Sequence, residues 1–171
     1  MGQATMRRVI VLRHAESEPE SDGQGDHARP LHDRGRRDAA RVGLRLRQLG
    51  WVPQRVVSSD AMRTRETWEH MAAALGSSPA VTFTRDLYLM GVDEIRAVLR
   101  DASLEVDTVM VIGHNPGWED AVHALSGVRA RMMPCAAALL RTPAPRWPDA
   151  AARSDWTLEE LVRPDERGRG S

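Results

Sequence analysis

The chain has 171 residues, 42% of them hydrophobic and 28% charged, enough to build one core and too few for a comfortable second one. Its 24 basic residues balance its 24 acidic ones, which excludes a globally basic nucleic-acid binder. No apolar run reaches the length of a bilayer span, so no membrane partner is expected. A single domain over residues 1–163 with a loose tail at 164–171 is expected, most simply as a monomer. Met1–Leu12 carries Arg7 and Arg8 without a long apolar stretch and cleavage site, so no signal peptide is expected and the expected location is cytoplasmic. The lone Cys135 excludes an intrachain disulfide and a cysteine-based metal cluster. Its apolar neighbours make it an inert buried thiol.

Met6–Leu12 is a short Val- and Ile-rich run and predicts a buried strand. Arg13–Pro30 turns charged and small, a long loop for so short a chain, and such loops carry function more often than not. Ala39, Val42, Leu46 and Leu49 recur at helical spacing, so a helix is predicted from near His32 or Asp33. Seven arginines lie between Arg29 and Arg47. They read as a solvated helix surface rather than a binding rim. Gly50 and Pro53 end that helix, and Arg55–Ser58 predicts a second strand. Ser59 and Asp60 are placed to cap a helix over Met62–Leu75, which stops at Gly76. Ala80–Thr84 predicts a third strand, Val92–Leu99 a helix, and Asp107–Ile112 a central strand covered on both faces. Trp118–Leu125 follows as a helix, then Met133–Leu140 as a core strand. Thr142–Ser154 is a Pro- and Ala-rich excursion before a weakly patterned strand at Trp156–Val162, where Leu161 spoils the alternation. Strands alternating with helices predict an α/β fold, a three-layer α/β/α sandwich around a mostly parallel sheet.

Two strand ends deliver a histidine into a loop: Val9-Ile-Val-Leu-Arg13-His14 and Val109-Met-Val-Ile-Gly113-His114-Asn115-Pro116-Gly117. Ligands of open α/β sheets gather at the carboxyl ends of strands. Ser58–Arg63 adds a third strand end and the start of a helix, where free N–H groups attract anions. If these ends meet, His14 and His114 share a pocket with Arg13 and Arg63. His123 is nine residues from His114, off the spacing of a helical ligand pair, so no metal is expected. Arginine forks match phosphoryl oxygens. Ser58 and Ser59 read as turn or cap residues, since neither lies in a nucleophile elbow.

Leu12-Arg13-His14-Ala15, Arg29-Pro30-Leu31-His32-Asp33-Arg34-Gly35, Ser58-Ser59-Asp60-Ala61-Met62-Arg63-Thr64-Arg65-Glu66-Thr67 and Gly113-His114-Asn115-Pro116 stand in that order along the chain. In these four blocks the chain resembles the histidine phosphatase, or phosphoglycerate mutase-like, superfamily, and within it the short SixA-type phosphohistidine phosphatases. The resemblance spans roughly Val9 to Leu140. It implies a phosphoglycerate mutase-like fold, no cofactor and no metal, His14 as the nucleophile that accepts the phosphoryl group, and Arg13, Arg63 and His114 as the rest of the phosphate pocket. It implies Arg29 as the additional arginine of the short members. The substrate it implies is a phosphorylated protein or a small phosphorylated molecule. Two positions depart from the family pattern: Ala15 replaces a glycine, and His32 stands where Ser or Thr usually caps the first long helix, so that Asp33 is expected to take over the cap.

No single residue stands out as the general acid. Asp86 and Glu94 flank Leu87-Tyr88-Leu89-Met90, a short segment that matches no family acid. Asp26, Glu16, Glu18 and Asp22 in the first loop are the candidates. An alkoxide leaving group needs a proton, worth about 10²–10⁴-fold in rate, whereas the imidazole of a protonated phosphohistidine needs little help. That asymmetry favours phosphohistidine on a protein partner. A broad-specificity phosphomonoesterase for small metabolites and a noncatalytic phosphate- or phosphoprotein-binding module are the alternatives.

Overall fold

The computed structural model describes residues 5–164; the expected tail lies outside them except for Pro164. Six strands form one mixed, mostly parallel sheet: β1 (Met6–Arg13), β2 (Arg55–Ser59), β3 (Ala80–Thr84), β4 (Thr108–Gly113), β5 (Ala137–Pro143) and β6 (Thr157–Val162), in the spatial order β3-β2-β4-β1-β5-β6. β1, β2, β3 and β4 run parallel, while β5 and β6 are antiparallel to their neighbours.

The helices are α1 (Asp33–Gln48), α2 (Met62–Leu75), α3 (Val92–Arg100), α4 (Gly117–Ser126) and the short α5 (Trp147–Ala151). Alternate residues of each central strand face opposite layers. Ile10, Leu12, Val56, Met110 and Ile112 pack with Val42, Leu46 and Met71 of α1 and α2. Val9, Val11, Val57, Val109 and Val111 pack with Ile95, Trp118 and Trp147 on the other side. Both central strands are therefore apolar at nearly every position, as β4 predicts, and every residue of β4 is buried. Trp118, Trp147 and Trp156 are buried, and each indole N–H donates to a backbone carbonyl, of Val111, Val106 and Ala150 respectively. This keeps the polar end of each large ring satisfied.

Three local expectations are corrected and one irregular pattern is explained. His32 does cap α1: its Nδ1 accepts from the Arg34 N–H at 3.1 Å, so Asp33 is already helical. α2 has Ala61 at its N-cap without a side-chain cap, because the Ser59 side chain is turned to other partners. The strand expected from Met133 begins at Ala137; Met133–Ala136 instead closes a turn, with Cys135 at φ 66°. β6 skips a residue against β5, Leu139 facing Glu160 and Leu140 facing Leu158. That bulge at Glu159 shifts the side-chain alternation and explains why Leu161 broke the sequence pattern.

The topology places the site. From β1 the chain leaves to α1 on one face of the sheet, and from the adjacent β4 it leaves to α4 on the other. Their carboxyl ends diverge, opening a crevice at the switch point, and His14 and His114 are the residues that follow them.

Candidate active site

The His14 backbone is held from three neighbouring segments. Its N–H donates to the Gly113 carbonyl at 3.1 Å, its carbonyl accepts from Cys135 N–H at 2.9 Å, and the next N–H, of Ala15, donates to Thr67 Oγ1 at 3.0 Å. The turn around Cys135 thus clamps the histidine, a role the sequence did not suggest. The thiol itself is fully buried, which pushes its pKa up. The His14 ring is fixed by Nδ1, 2.7 Å from the Ala15 carbonyl. A carbonyl only accepts, so Nδ1 carries the hydrogen and the lone pair is on Nε2. Burial, opposed by that hydrogen bond and reinforced by Arg63, Arg13 and Arg29, pulls the His14 pKa down to about 3. The imidazole is neutral at pH 7.

The His114 ring lies 5.3 Å from that of His14, centroid to centroid. Its Nε2 is 2.8 Å from Ser59 Oγ, and its Nδ1 is buried without a partner. Burial, followed by His14 and Arg63, pulls its pKa to about 3 as well. Ser59 also accepts from the Ala61 N–H at 3.3 Å. By sequence Ser59 reads as a turn or cap residue; only the return of β4 beside β2 reveals its histidine partner.

Arg13, Arg29 and Arg63 surround the two histidines in a cavity of about 360 Å³ that is also lined by Glu16, Ser17, Asp26, Leu89, Asn115 and Pro134. The structure therefore brings together His14, His114, Arg13, Arg63 and Arg29, along with Asp26 and Glu16 among the carboxylates. Glu18 and Asp22 do not line it; the Glu18 carboxylate lies 3.9 Å from His32 Nε2 on the surface. Asp86 and Glu94 line a separate groove beside α3.

Arg13 Nη1 donates to the Met132 carbonyl at 2.9 Å, leaving its buried Nε unpaired. Arg29 donates to the Glu18 carbonyl, Asp26 Oδ1 and Ser17 Oγ. Arg63, on the first turn of α2, is 3% exposed and places Nη1 on the Asp26 carbonyl at 2.8 Å and Nη2 on Asp26 Oδ2 at 3.0 Å. Its Nε is buried and unpaired. Asp26 Oδ2 also accepts from the Tyr88 hydroxyl. Burial of Asp26 works against ionisation, but donation by Tyr88, Arg29 and Arg63 outweighs it and holds the carboxyl well below the usual carboxylate range. Arg13 Nε, Arg63 Nε and His114 Nδ1 are buried without partners, as is Asn115 Oδ1, all on residues that line the cavity, and the guanidinium groups among them suit an acceptor-rich anion. Among the described residues no group of three His, Cys, Asp or Glu side chains is arranged to hold a metal ion, and no helix is long and apolar enough to cross a membrane.

Residues 9–145 match the histidine phosphatase superfamily, branch 1. The chain belongs to that superfamily. An uncharacterized chloroplastic protein of Arabidopsis thaliana is 39% identical over 93% of this chain and 78% of its own length. A solved structure from Nakamurella multipartitia, assigned to the phosphohistidine phosphatases as SixA, is 31% identical with a TM-score of 0.81, covering 95% of this chain and 99% of that one. The protein histidine phosphatase SixA complexed with tungstate shares the fold at TM-score 0.79 and 20% identity, over 92% of this chain and 97% of its own. The fold is that of the phosphoglycerate mutase-like proteins, and superfamily membership together with the SixA-like neighbours supports a phosphatase.

Proposed function

We propose that this phosphatase works through a phosphohistidine formed on His14 and takes its phosphoryl group from phosphohistidine on a protein partner, without a metal. The observation that carries this reading is the neutral His14 ring, fixed through Nδ1 with its Nε2 lone pair unengaged, among three arginines in one crevice. Nε2 attacks phosphorus as the bond from phosphorus to the substrate imidazole breaks, and that imidazole leaves with its ring proton. Arg13, Arg29 and Arg63 stabilise the equatorial oxygens. When Ser59 donates to Nε2 of His114, the unpaired Nδ1 carries the hydrogen and adds one more donor to an oxygen. Water then attacks the phosphorus, the bond to His14 Nε2 breaks, and inorganic phosphate departs.

A nitrogen leaving group is supported by the state of Asp26. Asp26, the acid candidate closest to the arginines, is held ionised by its three donors and cannot protonate an alkoxide. The test is trapping: enzyme incubated with a radiolabelled phosphohistidine peptide in the presence of a chelator should acquire an acid-labile, base-stable label that His14→Ala lacks. Label on a serine, or turnover that requires an added divalent ion, refutes the chemistry.

A further inference from the structure

Asp26 sits in a 3-10 turn (Asp26–Ala28) inside the first loop, and its position is fixed from three elements. Its carboxylate bridges Arg29 Nη1 and Arg63 Nη2, both at 3.0 Å, and receives the Tyr88 hydroxyl from the β3–α3 connection. With the Asp26 carbonyl on Nη1, both terminal nitrogens of Arg63 are engaged by a single residue. Tyr88 in turn sets its ring edge-on against His114, 5.4 Å away, and against His27, 5.0 Å away. His27 Nε2 stands 2.7 Å from Asp60 Oδ1, just before α2. The turn is hooked to the rest of the protein at two further points, so the carboxylate is a fixed part of the cavity wall.

We propose that Asp26, fixed by Tyr88, is a specificity-determining residue that biases the site toward a phosphoryl group carried on a cationic nitrogen and against free phosphate and oxygen esters. The inference rests on the phosphatase reading and names the leaving-group chemistry it selects. A carboxylate on the same guanidinium forks that phosphoryl oxygens use lowers the positive charge available to a dianion. The same charge attracts the imidazolium of a protonated phosphohistidine, which an oxygen ester lacks. One residue therefore acts with opposite sign on the two substrate classes, and because it stays ionised it gives an ester no proton in return. It also weakens the hold on inorganic phosphate, the product, and so favours release. Asp26 is partly exposed, its side chain retaining 38% of its accessible surface, which reduces the effect of one unit charge to about tenfold.

The experiment measures inorganic phosphate binding by calorimetry, and kcat/KM for a phosphohistidine peptide and for p-nitrophenyl phosphate, in wild type, Asp26→Asn and Tyr88→Phe. Asp26→Asn should bind phosphate about tenfold more tightly and lower the phosphohistidine-to-ester ratio of kcat/KM about tenfold. Tyr88→Phe, which changes no charge but frees one anchor of the carboxylate, should move both quantities in the same direction by about threefold. It also carries the test if Asp26→Asn does not fold. Weaker phosphate binding in either variant means the carboxylate only braces Arg63 and overturns the proposal, as does an unchanged ratio. Phosphate binding needs no turnover, so it judges Asp26 even if wild-type enzyme releases nothing from phosphohistidine, the result that would instead defeat the assigned activity.

Discussion

Replacing Gly35 by alanine tests how tightly the nucleophile's loop is set by a helix that contributes nothing to the chemistry. In an ordinary helix the change would stabilise by about 1 kcal/mol, since glycine is the poorer helix former. Gly35 is buried in the first turn of α1, however, and a Cβ there would lie 2.1 Å from the carbonyl oxygen of Glu16 and 3.1 Å from its carbonyl carbon. That is about an ångström inside van der Waals contact, and the obstacle is backbone, not a side chain that can swing away. Glu16 is two residues beyond His14, lines the cavity, and accepts from the His32 N–H at 2.9 Å. Forced relief moves that peptide away from α1 and breaks or bends this bond. Overpacking of this kind costs about 1–3 kcal/mol, which outweighs the propensity gain and leaves a net loss of about 1 kcal/mol, or about 2–4 °C in Tm. The effect on rate should be larger, because a displacement of about 1 Å near a nucleophile can cost about 10²-fold. Thermal unfolding and single-turnover phosphorylation of His14 read the two consequences separately. A Gly35→Ala protein with a raised Tm and wild-type turnover would show that the loop yields freely, and the geometric argument for a preset His14 would fall.

Acid should destabilise the folded protein through its two site histidines. In the unfolded chain each takes a proton near pH 6.5, but in the folded one not until about 3, so the unfolded state binds more protons between those values. Stability is full above about pH 6.5 and declines as pH falls toward 3, by up to about 1.4 kcal/mol per pH unit for each histidine. Urea midpoints from pH 7.5 to 5 in phosphate-free buffer should follow that slope, and His14→Asn should flatten it; an equal slope in the variant rejects the assignment. At the opposite end of β1, buried Arg7 donates to the carbonyls of Ala144, Leu104, Val106 and Pro145 and to Asp107, with Trp147 beside it. Arg7→Met should cost about 3 kcal/mol by stranding those acceptors while leaving kcat within about twofold, because it is remote from the site; a chemical-denaturation curve matching wild type would contradict the first half of that expectation.

The parts of the fold that could be read from the sequence are those where burial alone decides. β1 and β4 lie between two helical layers, so Val9–Leu12 and Val109–Ile112 are apolar throughout and the runs announce themselves; α1 and α2 bury one stripe each, and the three- and four-residue spacing of Ala39, Val42 and Leu46 is enough. β5 and β6 were harder because their ends are set by partners distant in sequence. Met133–Ala136 is as apolar as a strand, but its backbone is committed to His14 and Arg13, the Cys135 N–H to the first and the Ala136 carbonyl to the second, and it turns. The arginines of α1 form the solvated surface expected of them, and the fold adds ion pairs: Arg36 with Asp33 and Arg41 with Asp38 within the helix, Arg36 with Glu66 of α2 and Arg45 with Glu160 of β6 across it.

In the site, the residues legible in advance are those that follow strand ends within a motif: Arg13 and His14, Arg63, His114. Those that tune them were not legible, because each acts through a contact between segments with no shared pattern. Ser59 finds His114 across 55 positions and Tyr88 finds Asp26 across 62. Asp26 could be picked out as a carboxylate near Arg29, but its chemistry depends on donors that only the fold supplies. From the loop alone it reads as a candidate acid; donation from two guanidinium groups and a phenol holds its carboxyl below the usual carboxylate range. Changing the partners, with the residue itself unaltered, reverses what it can do for a leaving group. It follows that proteins of this fold sharing the histidines and arginines can differ in substrate class through the residues that face the loop carboxylate, and position 88 is where this chain would reveal it.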